Sequence, residues 1–365
     1  MDRPERRIFP FLPRHLNLAQ PQSHPVYPTH SSLPMASPPK VSVLVPTYNY
    51  ARFLPEAIES ILAQEFTDYE LIVSDDASTD DSADIIRRYA ARDSRIRAEF
   101  HPANLGMVPN WNWCLQQARG EYVKYLFGDD LLCSPQALGR LVALLDADPR
   151  VVLAASARRI IDEHSRPVDV WNEFRAARRW AGTAVIGRCL EENYNLIGEP
   201  SAVLFRRAAA SRGFNPQWRQ LVDLEMWLDL LLQGDFAYDP EPLCGFRRHE
   251  QQQTVVNRRA RVGPDEHLQL AVRHLKVFLT GANGRPGTYG QRRALFRLLH
   301  YHRKHAVPTP ENDAARALLL GRLSRPWYFV CWAQHRMTKP FSNVSRFGRR
   351  VRSAITGQPF RNGRG

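Results

Sequence analysis

Between Lys40 and Ile161 the chain alternates short β-branched runs with segments of helical apolar spacing. This alternation constrains the fold more than any other feature of the sequence. KVSVLVPTYN reads as a strand that stops at Pro46, and FLPEAIESILAQ carries apolar residues at Leu54, Ile58, Ile61 and Leu62. YELIVSDDAST is a second strand ending in acids, DSADIIRRYAARD a second helix, and RIRAEF a short third strand. NWNWCLQQARG is a helix stopped at Gly120, and EYVKYLFGDD a fourth strand. SPQALGRLVALLDADP follows as a helix with Ser134 as N-cap and Pro135 at its first position, then RVVLAASARRI as a fifth strand. Strands that alternate with amphipathic helices build βαβ units, hence an α/β fold with a largely parallel sheet. Such sheets bind ligands beyond the carboxyl ends of their strands. Pro46–Asn49, Asp75–Ser78 and Gly128–Asp130 all follow strand ends and are expected to converge on one cleft.

The rest of the chain divides by composition. Residues 1–38, rich in proline, serine, histidine and glutamine, have no usable periodicity and read as a disordered leader. Met35 opens a stretch that looks like a natural start, and the leader lacks the apolar core of a secretory signal. Residues 39–255 form the α/β domain and 256–340 a helical C-terminal region; 341–365 are a basic tail. Helices are expected in EHLQLAVRHLKVFL, YGQRRALFRLLHYHRKH and DAARALLLGRL. No apolar run approaches the roughly 18 residues of a spanning helix. Five scattered cysteines without a CxxC pair point to reduced thiols in a cytoplasmic compartment. The net charge of +13 invites a nucleic-acid reading, but no acid follows Asp313 while bases continue to Arg364. Much of the excess is therefore a C-terminal feature, so nucleic acid is not expected as a partner.

Asp75, Asp76, Asp129 and Asp130 place four carboxylates at two strand ends. The chain has no GxGxxG and no Walker lysine motif, so a glycine loop does not cradle phosphates here. A diphosphate can instead be held through Mg²⁺ or Mn²⁺, which bind one or two carboxylates and substrate oxygens. The plain alternative for Asp75–Asp76 is a turn that caps the following helix. GDD also occurs in viral RNA polymerases, but there on a hairpin; here a strand precedes it and a helix follows.

VSVLVPTYNYARFLPEAIESILAQEFTDYELIVSDDASTDDS, NLGMVPNWNWCL and GEYVKYLFGDDLL together resemble the family 2 glycosyltransferases, over about Val41 to His249. The resemblance implies a GT-A fold and a nucleotide-diphosphate sugar donor, with UDP favoured. It places Pro46, Thr47 and Tyr48 against the base and ribose, and Asp76 on the base. Asp129–Asp130 matches the family's metal-binding acids, usually DxD or three acids in a row. Here Gly128 stands two before Asp130, which leaves Asp130 as the direct ligand and Asp129 beside the ribose or metal.

QLVDLEMWLDLLLQ has the spacing of a buried helix, with Asp223 in its first turn where the helix dipole favours a carboxylate. In the family an ED pair precedes a Trp by four residues. Asp223 keeps the aspartate ahead of Trp227 while Val222 replaces the glutamate, and the resemblance makes Asp223 the general base. GFRRHEQQQT resembles the family's closing R-x-H segment, which puts Arg247 and His249 toward the diphosphate or metal; a solvated loop is the alternative. Glu199, Pro200 and Ser201 resemble the segment under the acceptor pocket, although a tight turn explains them nearly as well. Asn104 and Gly106 read as a loop near the nucleotide or as a helix-start turn, and Trp111 and Trp113 as core. The expected activity is inverting transfer of a sugar to an acceptor hydroxyl, in cell-surface polysaccharide or glycolipid synthesis. A nucleotidyltransferase or a non-catalytic sugar- or nucleic-acid-binding protein are the alternatives. Aromatics interleaved with bases from Arg325 to Arg352 suggest a segment that lies on an anionic bilayer; a helical lid is the competing reading.

Overall fold

The computed structural model describes residues 37–250, 252–254, 257, 262–275, 277, 289–305, 309–323, 326 and 329–333. The leader up to residue 36, residues 334–340 and the basic tail 341–365 lie outside the described residues. The α/β part begins β1 (Val41–Thr47), α1 (Leu54–Leu62), β2 (Tyr69–Asp75), α2 (Ser82–Ala90), β3 (Ile96–Phe100), α3 (Met107–Gln117), β4 (Tyr122–Tyr125) and β5 (Leu131–Leu132). It continues α4 (Ala137–Asp146), β6 (Val151–Ile161), β7 (Pro167–Trp171), β8 (Arg178–Trp180), α5 (Gly182–Glu192), β9 (Val203–Arg206), α6 (Val222–Leu231) and β10 (Asp235–Arg247). Three later helices are α7 (Gly263–Arg273), α8 (Tyr289–His305) and α9 (Pro310–Leu320); α8 spans its predicted segment, while α7 and α9 each start three residues ahead of theirs.

The sheet runs β3-β2-β1-β4-β9-β6-β10-β5, with β7 on β6 and β8 on β10. β1, β2, β3 and β4 are parallel, β10 is parallel to β6, and β9 is inserted antiparallel between β4 and β6. Register brings the carboxyl ends together: Thr47 lies opposite Asp75, and Arg247 opposite Ile161. Both faces of the sheet are covered, which is why the central strands are apolar at nearly every position. Val41, Val43 and Val45 point to the layer of α1, α2 and α4, while Leu44 points to that of α3, α5 and α6. Leu268, Leu298 and Leu319, on α7, α8 and α9, belong to this second cluster. The C-terminal helices therefore extend the core of the α/β part. Each such side chain, fully buried, contributes about 1.5–3 kcal/mol.

Two expectations shift. The helix after the acids starts at Ala137, two residues beyond Pro135, with no side-chain cap. The Ser134 carbonyl accepts from Ala137 N and from Gln64 Nε2, at 3.1 and 2.9 Å, so that segment is fixed by a buried glutamine rather than a serine cap. The fourth strand ends at Tyr125, short of the acids, and Asp130 N donates to Phe127 O at 3.0 Å. Asp129 and Asp130 thus sit on a tight turn leading into β5.

Candidate active site

The carboxyl ends of β1, β2 and β4 open into a cleft of about 650 Å³ whose lining includes Pro46, Thr47, Tyr48, Asp76, Asp129, Asp130 and Asp223. These seven residues, picked out from sequence, therefore meet in one place, with Asn104, Gly106, Glu199 and Pro200 beside them, while Arg247 and His249 do not line it. Asp76 is 2 % exposed and accepts the amides of Leu105 and Gly106 at 2.7 and 3.0 Å. Gly106 has φ +91°, a conformation that favours glycine, and it aims successive amides at the carboxylate. Asn104 Nδ2 donates to Asp76 O at 3.0 Å. Asn104 and Gly106 form the helix-start turn and also line the cleft. Trp111 packs in the core and shows an edge to the cleft, 4.7 Å from the Phe127 ring centroid.

The acid turn explains its own departure from DxD. A Cβ on Gly128 would lie 2.8 Å from Thr47 Oγ1 and 3.2 Å from the Tyr50 ring, so no third carboxylate fits there. Asp130 is 1 % exposed; its Oδ1 accepts from Arg247 N at 2.9 Å, and its Oδ2 has no partner. Burial and the neighbouring Asp129 push the Asp130 carboxyl well up. Asp129 Oδ2 meets His249 Nε2 at 3.0 Å. An orphaned buried carboxylate oxygen next to a second acid suits a divalent cation that completes its shell with substrate phosphate. Among the described residues no three His, Cys, Asp or Glu form a cage that would hold a metal without substrate. His249 reaches the acid pair through Asp129, wedged 5.2 Å from the Phe53 ring centroid.

Arg247 departs from expectation. It is buried and does not line the cleft; its guanidinium donates to Asp129 O, Asp162 O, Ser165 Oγ and Glu56 Oε2. Four of its five N–H donors bolt the acid turn to α1 and to the β6–β7 turn, away from the cleft. The backbone amide, not the side chain, touches Asp130.

Asp223 lines the same cleft as the acid turn, from the first turn of α6. Its Oδ2 accepts from Asn195 Nδ2 at 3.0 Å, and the same amide donates to Gly198 O at 3.1 Å. Trp227 Nε1 donates to that carbonyl too, at 3.0 Å. Residues four apart share a helix face, so the D-x-x-x-W spacing brings the Asp223 carboxylate and the Trp227 indole onto one turn, Asn195–Gly198. Gly198 has φ +123°, and a Cβ there would stand 2.6 Å from Arg158 Nη1. That buried arginine pairs with Glu199 at 3.1 Å. Burial and the Glu199 carboxylate push Asp223 up to about 7.

Sequence reasoning missed several neighbours. Tyr50 lines the cleft, and its hydroxyl is raised by burial and by Asp129. Lys124 is wholly buried beneath the acids, pushed down to about 8 by burial, with its ammonium on the Ser201 and Val203 carbonyls. Asn195, Gln252 and Asn257 carry no motif that announces them. A second, larger groove of about 1770 Å³ adjoins the cleft, lined by Trp171, Tyr194, Arg248, His249 and His267 among others. Asp223, Glu199 and Phe246 border both spaces.

Comparison with known proteins identifies the architecture. The model for Glycosyl transferase family 2 matches residues 42–214. A Bacillus subtilis (strain 168) protein named as a glycosyltransferase, EpsE, is 32% identical over 213 residues, 56% of this chain and 71% of that protein. The chain belongs to glycosyl transferase family 2. An uncharacterised protein of Mycobacterium tuberculosis (strain CDC 1551 / Oshkosh) is 36% identical over 222 residues, 58% of this chain and 67% of the relative. Among solved structures, S. aureus TarS 1-349 in complex with UDP-GlcNAc superposes with a TM-score of 0.57 at 18% identity, covering 88% of this chain and 93% of that one. The mannosyltransferase PcManGT from Pyrobaculum calidifontis, in complex with GDP-Man and Mn2+, gives 0.55 at 20% identity, covering 88% and 89%. The glycosyltransferase thus has the GT-A fold, with a C-terminal helical extension.

Proposed function

We propose that this glycosyltransferase moves a sugar, with inversion, from a nucleotide-diphosphate donor to an acceptor hydroxyl, and that Asp223 is the general base. The observation that carries the reading is the place of Asp223: it borders both the acid-turn cleft and the larger groove. In the cleft, Pro46–Tyr48 and Asp76 would hold the nucleoside, and Asp130 Oδ2 would hold Mg²⁺ or Mn²⁺ on the diphosphate. A metal so bound neutralises the charge that grows on the leaving diphosphate. Asp223, on the far bank, would take the proton of an acceptor hydroxyl entering from the groove, and a carboxylate poised near 7 suits that task. Asn195 holds Oδ2 in place, leaving its second lone pair for the proton. Attack from the bank opposite the leaving group inverts the anomeric centre.

The groove exceeds the range of about 300–1,000 Å³ typical of sites for drug-sized ligands, which favours an extended acceptor such as a glycan or glycolipid. UDP is the favoured nucleotide, in keeping with the UDP-GlcNAc bound by TarS. The test is incubation with UDP-glucose, UDP-N-acetylglucosamine, GDP-mannose and dTDP-rhamnose, each with Mn²⁺, scoring nucleotide diphosphate release and the anomeric configuration of the product. Release with inversion supports the reading. Retained configuration, or no release from any donor while nucleotide still binds, contradicts it.

We also propose peripheral contact with an anionic membrane, at the cytoplasmic face, through the C-terminal segment. No helix among the described residues is long and apolar enough to cross a membrane. Phe329 and Val330 are nevertheless exposed, as are Leu318 and Leu320 on α9, and the bases that follow lie outside the described residues.

A further inference from the structure

We infer that Glu266, on α7, is the positioning residue that mounts the Asp223 segment, which makes the C-terminal helices part of the catalytic apparatus. The inference rests on the reading of Asp223 as base. Glu266 is 7 % exposed, and its carboxylate accepts three consecutive amides, those of Arg219, Gln220 and Leu221, at 2.7, 2.9 and 2.7 Å. These residues immediately precede α6, whose N-cap, Leu221, offers no side-chain acceptor. The unpaired amides that a helix start presents are normally met by a local Ser, Thr, Asp or Asn. Here a carboxylate from another helix meets those leading into α6. Asn257, itself 3 % exposed, adds a bond from Nδ2 to Arg219 O at 2.7 Å.

A second grip lies on the other side of the base. Arg273, two turns beyond Glu266 on the same helix, pairs with Glu225 at 3.0 Å. Glu225 is fully buried and also holds Arg212, at 3.0 Å. α7 therefore fastens α6 before Asp223, at 219–221, and after it, at 225. The acid turn and the strand-end loops that would hold the donor make no part of this brace. Both halves of the grip lie beyond residue 214, where the family match ends. Misplacing a catalytic group by about 1 Å costs on the order of 100-fold in rate, so a loosened mount should show in turnover before it shows in donor affinity.

The experiment uses the full chain, with two readouts on Glu266→Gln: amide exchange across residues 219–224, and the kcat against donor KM split with each nucleotide sugar of the panel above. The substitution keeps the shape but turns an N–H toward amide donors. Exchange should quicken by about tenfold or more, and kcat should fall about 10- to 100-fold with donor KM within about twofold. Glu266→Asp, which keeps the charge on a shorter arm, should recover part of kcat, as a merely stabilising residue would not require. If the Gln variant fails to fold, Asn257→Ala loosens one bond and should give the same split at smaller size. Unchanged exchange and kcat would overturn the inference, as would a rise in donor KM in step with the fall in kcat. Full transfer by Asp223→Asn alongside quickened exchange in Glu266→Gln is a separate result: the base assignment falls while the brace on 219–221 stands.

Discussion

The two banks of the cleft are built in different ways. The bank proposed for the donor gathers residues after three strands that are neighbours in the sheet, β2, β1 and β4, at 75–76, 46–50 and 128–130, each within a few positions of an apolar run that fixes it. The bank proposed for the acceptor draws on the 195–199 turn, the start of α6, Gln252–Thr254 and Asn257 after β10, and Glu266 of α7. Its parts come from well-separated segments that share an apolar cluster and are tied at the cleft by long-range hydrogen bonds. The first bank is set by sheet register and is hard to disturb without unfolding the core. The second is set by a few buried polar contacts, each of which a single substitution can release.

The comparison is broken most severely on the donor side. Asp130→Asn should abolish Mn²⁺-dependent nucleotide binding and cut turnover by about a thousandfold or more, since a metal supplies several kcal/mol of charge stabilisation and each 1.4 kcal/mol is tenfold. A variant that keeps wild-type turnover at low Mn²⁺ would remove Asp130 as the ligand. On the other bank, Gly198→Ala forces a side chain into φ +123° and onto Arg158. It should lower kcat about tenfold while nucleotide affinity, read by thermal shift with UDP and Mn²⁺, holds within about twofold; a collapse of nucleotide binding would show that the banks are not separable.

The pH dependence sharpens the same contrast. Asp223 must be ionised to accept a proton, so kcat should fall as pH drops through about 7. Its folded value lies above its ordinary one of about 3.9, so its stability contribution is intact below about 4 and is lost as pH rises through about 7. Asp223→Asn should therefore melt higher than wild type near pH 8, with the gain shrinking near pH 5. Equal melting temperatures at both would place Asp223 in solvent. The smallest effect concerns the tail: truncation after Leu323 should leave turnover of a soluble acceptor nearly unchanged and abolish co-sedimentation with anionic vesicles, worth roughly 1 kcal/mol per base at low salt. Binding that is indifferent to lipid charge would leave the segment as a lid.

Legibility follows the same divide. Strand and helix order was readable because β1 and β2 are buried on both faces and the helices between them carry one apolar stripe. The donor bank was readable because its residues sit beside those runs. Gly128 was visible as a missing acid, but the reason, Thr47 and Tyr50 pressed against it, required the fold. Arg247 misled because sequence gives its place at a strand end and not the carbonyls that capture its guanidinium. Asp223 stood out through its spacing to Trp227, while Asn195 and Glu266 carry no local signal: a glutamate on an amphipathic helix looks like any solvated acid until three amides are found on it.

The separation of the banks is tested most directly by Asp223→Asn, assayed for transfer and, independently, for UDP affinity in the presence of Mn²⁺. We expect transfer to fall about 10²- to 10⁴-fold, the range for loss of a general base, with nucleotide affinity unchanged to within about twofold. Transfer at the wild-type rate, or a loss of nucleotide affinity equal to the loss of rate, would contradict the assignment of the base to the acceptor bank.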